Sequence, residues 1–209
     1  MNIDIAKRNA AREAVKFVKN GMIVGLGTGS TSKIAVDMIG EKLSQDFQII
    51  GMPTSVETEA QAKNLGIKLI GIDEASNIDL AIDGADEVSP DLSLIKGLGG
   101  ALLREKKVEK KANQLIIIVD ESKIVEKLGR SFLPIEVSTK EHERTCSKIE
   151  NLGCSAELRI KNDGEPFLTD NQNYIYHCLF ENGIENPHKL DNLLLNIKGV
   201  KDTGLFLNM

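Results

Sequence analysis

The segment "MIVGLGTGSTSKIAVDMIGEKL", residues 22–43, limits the possible folds of this chain more than any other. An apolar run of strand length ends in a glycine-rich turn. It then enters a helix whose apolar face is Ile34, Ala35, Met38, Ile39 and Leu43. A strand that passes straight into such a helix points to a crossover connection and a parallel neighbouring strand. The alternation repeats along the chain. "FQIIGM" (47–52) reads as a strand ended by Pro53, and "SVETEAQAKNLG" (55–66) as a helix stopped by Gly66. "IKLIGI" (67–72) and "IDLAID" (78–83) read as strands, "GALLREKKVEKKAN" (100–113) as a helix and "QLIIIVD" (114–120) as a strand. Ahead of them, "MNIDIAKRNAAREAVKFVKNG" (1–21) predicts a helix. Its core face is Ile5, Ala6, Ala10, Ala14, Val15, Phe17 and Val18, with Asp4 to cap it and Gly21 to end it. The first half is therefore α/β, a mainly parallel sheet with helices on both faces.

Beyond Arg130 the texture changes. "FLPIEVS" (132–138), a polar helical stretch (139–153), "CSAELRI" (154–160), the turn "KNDGEP" (161–166), the strand-like 167–180 and a helix within 186–197 follow in turn. That order suits a small α+β domain. The apolar tail "TGLFLNM" (203–209) is expected to rejoin the first sheet. The domain reading is 1–130, with 199–209 returning to it, and 131–198 as the smaller unit.

Composition narrows the partners. Lys plus Arg number 26 against 31 Asp plus Glu, a net charge of −5, which argues against nucleic-acid binding through a basic surface. The longest apolar run, "LIIIV" (115–119), is far below the roughly 20 residues of a membrane helix. Asp4 and Glu13 disfavour a transit peptide, so the cytoplasm is the expected location. Three scattered cysteines and three scattered histidines have neither disulfide nor metal-ligand spacing, and no metal site is expected.

Three motifs carry the chemistry. "GLGTGSTS" (25–32) joins a strand to a helix start, where free N–H groups and the helix dipole attract an anion. It fails the dinucleotide fingerprint, because Ser30 stands for the third glycine and "QIIGMP" ends without an acid. It fails the P-loop pattern for want of a lysine. A tight turn that binds nothing is the bland alternative. "DGADEV" (83–88) gathers Asp83, Asp86 and Glu87 at the end of an apolar strand, the edge at which open α/β sheets bind ligands. A solvated turn is the other reading. "LIKGLGGALLREK" (94–106) adds Lys96, a second glycine loop and a helix with Glu105. Against these stand a solvated lysine and a helix-surface ion pair involving Glu105, Glu109 and Lys110. Together the motifs offer an anion cradle, carboxylates and one ammonium group. That set suits proton transfer beside the carbonyl of a small phosphorylated compound, with a carboxylate base and a group to hold the oxyanion.

In this order and at these separations, "GLGTGSTS", "DGADEV" and "KGLGGALLREK" resemble ribose-5-phosphate isomerase of the A type, as do "LPIEV" and "TGLF". The resemblance implies a Rossmann-like domain with a small ferredoxin-like lobe and a homodimer or tetramer. It also implies interconversion of ribose 5-phosphate and ribulose 5-phosphate without metal or cofactor. Carried onto this chain, it implies Thr28, Gly29, Ser30 and Thr31 at the sugar phosphate. Asp83, Gly84, Ala85 and Asp86 fall against the sugar, as do Lys96, Gly97, Leu98 and Gly99, and Glu105 is the general base. Lys123, in "VDESK", and Lys7 become substrate-binding cations, and Glu87 is left as a solvated or supporting charge. Leu98 replaces a glycine common in the family. Family members normally continue about ten residues past Met209 to add a strand, so an exposed sheet edge and lower stability are expected. Two rivals are a sugar-phosphate sensor, expected to carry a helix-turn-helix that no N-terminal segment here provides, and a nucleotide-dependent enzyme.

Overall fold

The computed structural model describes residues 3–209. The chain packs as two compact units. One runs up to Ala85 and adds Arg104–Lys123 and Met209; the other comprises Asp86–Leu103 and Ile124–Asn208. The packing boundaries thus fall near residues 85, 103 and 123 rather than at residue 130.

The first unit holds a five-stranded parallel sheet in the order β3-β2-β1-β4-β7. Its strands are β1 (Ile23–Leu26), β2 (Ile50–Pro53), β3 (Lys68–Leu69), β4 (Leu80–Asp83) and β7 (Leu115–Ile117). This is the Rossmann-like arrangement. One face packs on α1 (Ile3–Val15), α2 (Ser30–Lys42) and α3 (Val56–Asn64), through Ala11, Ala35 and Ala62 against Val24, Leu26, Leu80 and Ile82. The opposite face packs Met52, Ile78 and Ala81 on Val108 of α4 (Leu102–Glu109). Strand alternation separates the two cores, since Ala81 lies between Leu80 and Ile82.

β2 ends at Pro53, its last residue, and Ser55 caps α3 by accepting the Thr58 N–H at 3.0 Å. The first helix is shorter than its pattern predicts. It ends at Val15, and Ile5 and Phe17 are 52% and 51% exposed. Its buried stripe is Ala11, Ala14 and Val15, small side chains that let α1 lie close to α2.

In the second unit, β8 (Leu133–Val137), α5 (His142–Glu150), β9 (Ser155–Leu158), β10 (Tyr174–Leu179), α6 (Pro187–Leu195) and β11 (Val200–Thr203) follow one another. The sheet they form is antiparallel, in the order β11-β8-β10-β9, the ferredoxin-like βαββαβ pattern. Pro187 in the first turn of α6 and Asn186, whose Oδ1 accepts the Lys189 N–H at 2.9 Å, start that helix. The same unit contains a three-stranded antiparallel sheet, β12 (Leu205–Phe206), β6 (Leu94–Ile95) and β5 (Glu87–Val88). The tail therefore returns in a different way from the expected one. β11 completes the lobe beside β8 and β12 pairs with β6, so neither strand enters the five-stranded sheet.

Candidate active site

In the first unit, the glycine-rich turn and the end of β4 meet on one carboxylate. Asp83 is 1% exposed, and its Oδ1 accepts three donors: the Thr28 N–H at 3.0 Å, the Ser32 hydroxyl at 2.9 Å and the Gly84 N–H at 2.7 Å. Gly27 makes this approach possible, because a Cβ there would lie 2.2 Å from Asp83 Oδ1. Gly29 answers a different need: at φ +104° it turns the chain into α2 with open space around it. No side chain caps α2 among the described residues, and a helix start leaves its first-turn N–H groups, here around Ser30 and Thr31, without partners within the helix.

Lys7 of α1 donates to the Ser30 hydroxyl at 2.9 Å, which brings a cation to that turn. Lys123 ends the short 3-10 helix Glu121–Lys123, just after Asp120. Asp120 has its carboxyl held below the usual range, first by the Ser122 hydroxyl, with the charges of Lys123 and Lys7 adding smaller effects against desolvation. Glu105 is 4% exposed on α4, so it is a buried carboxylate rather than a helix-surface one. It stands one turn before Val108, which packs against Ala81, and Asp83 follows Ala81 by two strand positions. Both carboxylates therefore lie on the α4 face of the sheet, toward its carboxyl edge.

The second unit holds the other group. Lys96 is 2% exposed and not a solvated surface lysine. Its N–H donates to the Gly204 carbonyl at 2.9 Å and its ammonium lies 5.4 Å from the centroid of the Phe206 ring, so β12 braces it. Asp86 Oδ2 accepts the Leu98 N–H at 3.0 Å, which ties the carboxylate motif to the second glycine loop. Gly97 bends that loop at φ +94°. Of the two readings of Glu87, solvated or supporting, the structure selects the second, since the side chain is buried. Its two oxygens accept the N–H groups of Gly129 (2.7 Å), Ser131 (2.6 Å) and, more weakly, Arg130 (3.3 Å).

Thr28, expected at the sugar phosphate, turns its hydroxyl toward other side chains. Its hydroxyl lies 2.7, 2.8 and 3.0 Å from those of Thr54, Ser55 and Thr58, a buried cluster that locks the turn from behind. Reasoning from sequence missed this cluster, the Ser32 hydroxyl, Asp120 and the part Gly27 plays. One signal was available: "PTSVET" (53–58) places three hydroxyl residues just past β2, and β2 neighbours β1 in any sheet of this kind.

The family model described as "Ribose 5-phosphate isomerase A (phosphoriboisomerase A)" matches residues 50–209. "Ribose-5-phosphate isomerase A" of Bacillus mycoides is 49% identical over 203 residues, covering 97% of this chain and 91% of that protein. Among solved structures, "Ribose 5-phosphate isomerase from Plasmodium falciparum" superposes with a TM-score of 0.93 at 39% identity, covering 99% of this chain and 91% of the other. A D-ribose-5-phosphate isomerase in complex with phospho-erythronic acid gives a TM-score of 0.94 at 38% identity, over 100% and 92% of the two chains. With the match extending over nearly all of both lengths, this chain belongs to the ribose 5-phosphate isomerase A family.

Proposed function

We propose that the family's reaction, interconversion of D-ribose 5-phosphate and D-ribulose 5-phosphate, is carried out here by Glu105 as the base. Asp83, with a water, assists opening of the furanose ring. Glu105 removes the proton from carbon 2 of the open aldehyde and returns it to carbon 1, through a cis-enediolate. Lys96 and the N–H groups of Gly97 and Gly99 stabilise the oxygens on which charge develops, while Asp86 holds the loop against the sugar through the Leu98 N–H. The phosphate is held by Gly29, Ser30 and Thr31 at the start of α2, with Lys7 and Lys123 supplying positive charge and Thr28 shaping the turn. Gly84 and Ala85 line the sugar. All of these residues fall within 1–130, the segment assigned to catalysis on sequence grounds, with 131–198 as its smaller partner.

The observation that supports this reading most is the triply donated Oδ1 of Asp83 at the end of β4, on the sheet face that also carries Glu105. The test is ribulose 5-phosphate formation from ribose 5-phosphate in chelator, without added cofactor. Turnover by the wild-type chain and its loss in Glu105→Gln, with ribose 5-phosphate still bound, is the expected result. Near-full turnover by Glu105→Gln would remove the base assignment, and turnover lost in chelator would sink the metal-free mechanism. We also place the chain in the cytoplasm as a homodimer or tetramer. The free thiols of Cys146, Cys154 and Cys178 fit a reducing compartment, and sedimentation at micromolar concentration reads the assembly.

A further inference from the structure

The turn "KNDGEP" has no part in the reaction above, yet the hairpin it closes reaches the second glycine loop. Beyond β9 the chain continues as paired backbone. The Arg159 N–H donates to the Ile175 carbonyl at 2.9 Å, and the Phe167 N–H to the Arg159 carbonyl at 2.9 Å. An isolated bridge joins Ile160 to Pro166, and the Lys161 N–H bonds the Glu165 carbonyl at 2.8 Å. Arg159 and Phe167 thus face each other at the base of a tight hairpin. The guanidinium carbon of Arg159 lies 3.7 Å from the centroid of the Phe167 ring, a stack that fixes its plane. From there Nη1 donates to the Leu98 carbonyl at 3.0 Å. The seating is close: a Cβ on Gly100, at φ +102°, would lie 2.7 Å from two ring atoms of Phe167 and 2.9 Å from Arg159 Nη1.

The consequence follows from the planarity of the peptide bond. The Leu98 carbonyl and the Gly99 N–H belong to one trans peptide unit and point in opposite directions. Arg159 holds that unit by its oxygen, while Asp86 holds the preceding unit by the Leu98 N–H. Two successive planes of the loop are thereby fixed by side chains from outside it. Half-burial strengthens the bond, since a guanidinium stripped of water interacts more strongly with a carbonyl. We propose that Arg159 is a positioning residue for isomerisation, which by gripping the Leu98 carbonyl presents the Gly99 N–H as a donor to the enediolate oxygen. This rests on the reading above, in which the 96–99 loop contacts the sugar.

The experiment compares Arg159→Ala, Arg159→Lys and Phe167→Leu with the wild type in two readouts. In steady-state kinetics on ribose 5-phosphate, Arg159→Ala is expected to lose about 100-fold in kcat with KM changed less than about threefold, as for a small displacement of an oriented group. Millimolar guanidinium should restore part of that loss. Arg159→Lys, which keeps the charge but not the planar fork, should fall between, as should Phe167→Leu. In amide hydrogen exchange, which needs no activity, the Leu98 and Gly100 amides should exchange at least about tenfold faster in Arg159→Ala, with the Tyr176 amide of β10 unchanged. Wild-type kcat in Arg159→Ala, or unchanged exchange at Leu98 and Gly100, overturns the proposal. A loss of protection at Tyr176 as well means that the lobe is unfolding and also counts against it. If the wild type itself fails to turn over ribose 5-phosphate, the functional reading falls, and the exchange data alone decide whether Arg159 holds the loop.

Discussion

At the level of single residues, Asp83 is defined by what surrounds it more than by its own side chain. Three donors converge on one oxygen, and the absence of a Cβ at Gly27 leaves room for it. Two glycines of the same turn therefore respond differently to substitution. Gly27→Ala drives a methyl group into the carboxylate, and should lower both the melting temperature and kcat severely. Gly29→Ala meets open space and carries only the strain of its backbone, at φ +104° and ψ 174° in a region nearly restricted to glycine, about 1–3 kcal/mol by urea denaturation. Ser32→Ala removes one charge-assisted hydrogen bond from Asp83 and should cost about tenfold or more in kcat, with ribose 5-phosphate binding little changed. Lys96→Met keeps the buried volume while deleting the ammonium, and kcat should fall about 100- to 1,000-fold. Unchanged kcat in that variant would show that the loop N–H groups carry the oxyanion alone. These residues were largely legible in the sequence because each sits in a glycine-flanked motif. Ser32 and Glu87 were not, since whether a carboxylate or hydroxyl is buried depends on elements far along the chain.

At the level of elements, the three acids of "DGADEV" have separate duties. Asp83 ends β4, Asp86 reaches the second glycine loop, and Glu87 in β5 holds a turn more than forty residues away. Glu87→Gln would place an amide where the carboxylate meets the Gly129 and Ser131 N–H groups, leaving a buried donor facing donors. Stability should fall by about 3 kcal/mol, read as a lower urea midpoint at unchanged slope. A midpoint equal to that of the wild type would mean the turn is held by other contacts. Element boundaries follow the same logic. Helix α1 keeps its small residues in the core and leaves Ile5 in solvent, with Phe17 likewise exposed just past its end, because contact with α2 selects a narrow stripe that hydrophobicity alone does not define. The two-residue strands β5, β6 and β12 are too short for any periodicity to reveal, and pairing alone makes them strands.

For the molecule as a whole, the ferredoxin-like lobe contains a carboxyl group that should make its stability depend on pH. Glu136 on β8 is fully buried. Its Oε1 accepts from Asn173 at 2.8 Å, Thr169 at 3.0 Å and Asn171 at 3.5 Å, while Oε2 has no hydrogen-bond partner among the described residues. Desolvation raises its pKa from the ordinary 4.5, the three donors oppose this, and Asp202 adds a small upward push. A raised carboxyl pKa means that the folded state binds the proton more tightly than the unfolded chain. The stabilisation is complete below the unfolded value and is lost as pH rises through the folded one. Glu136→Gln, which cannot ionise, should gain on the wild type in urea midpoint as pH climbs from about 4.5 toward neutrality. A midpoint difference that stays constant over that range would show that Glu136 keeps the same protonation state folded and unfolded.

The alternation of apolar runs and amphipathic helices, by itself, determined the Rossmann-like sheet, because a buried parallel strand and its crossover helix each leave a local periodic signature. The glycine-rich motifs likewise determined the family and its candidate chemistry, since backbone that must come close to a ligand tolerates few residue types. The tertiary structure alone decided that residues 86–103 pack with 124–208 and that the tail pairs with β8 and β6. It also decided that Thr28 turns its hydroxyl into a cluster behind the turn, that Glu87 is buried, and that Arg159 grips the glycine loop from a distant hairpin. Each of these rests on a hydrogen bond or strand pairing between residues far apart in sequence. Its stabilisation arises only when burial removes water from both partners, and no local pattern records that.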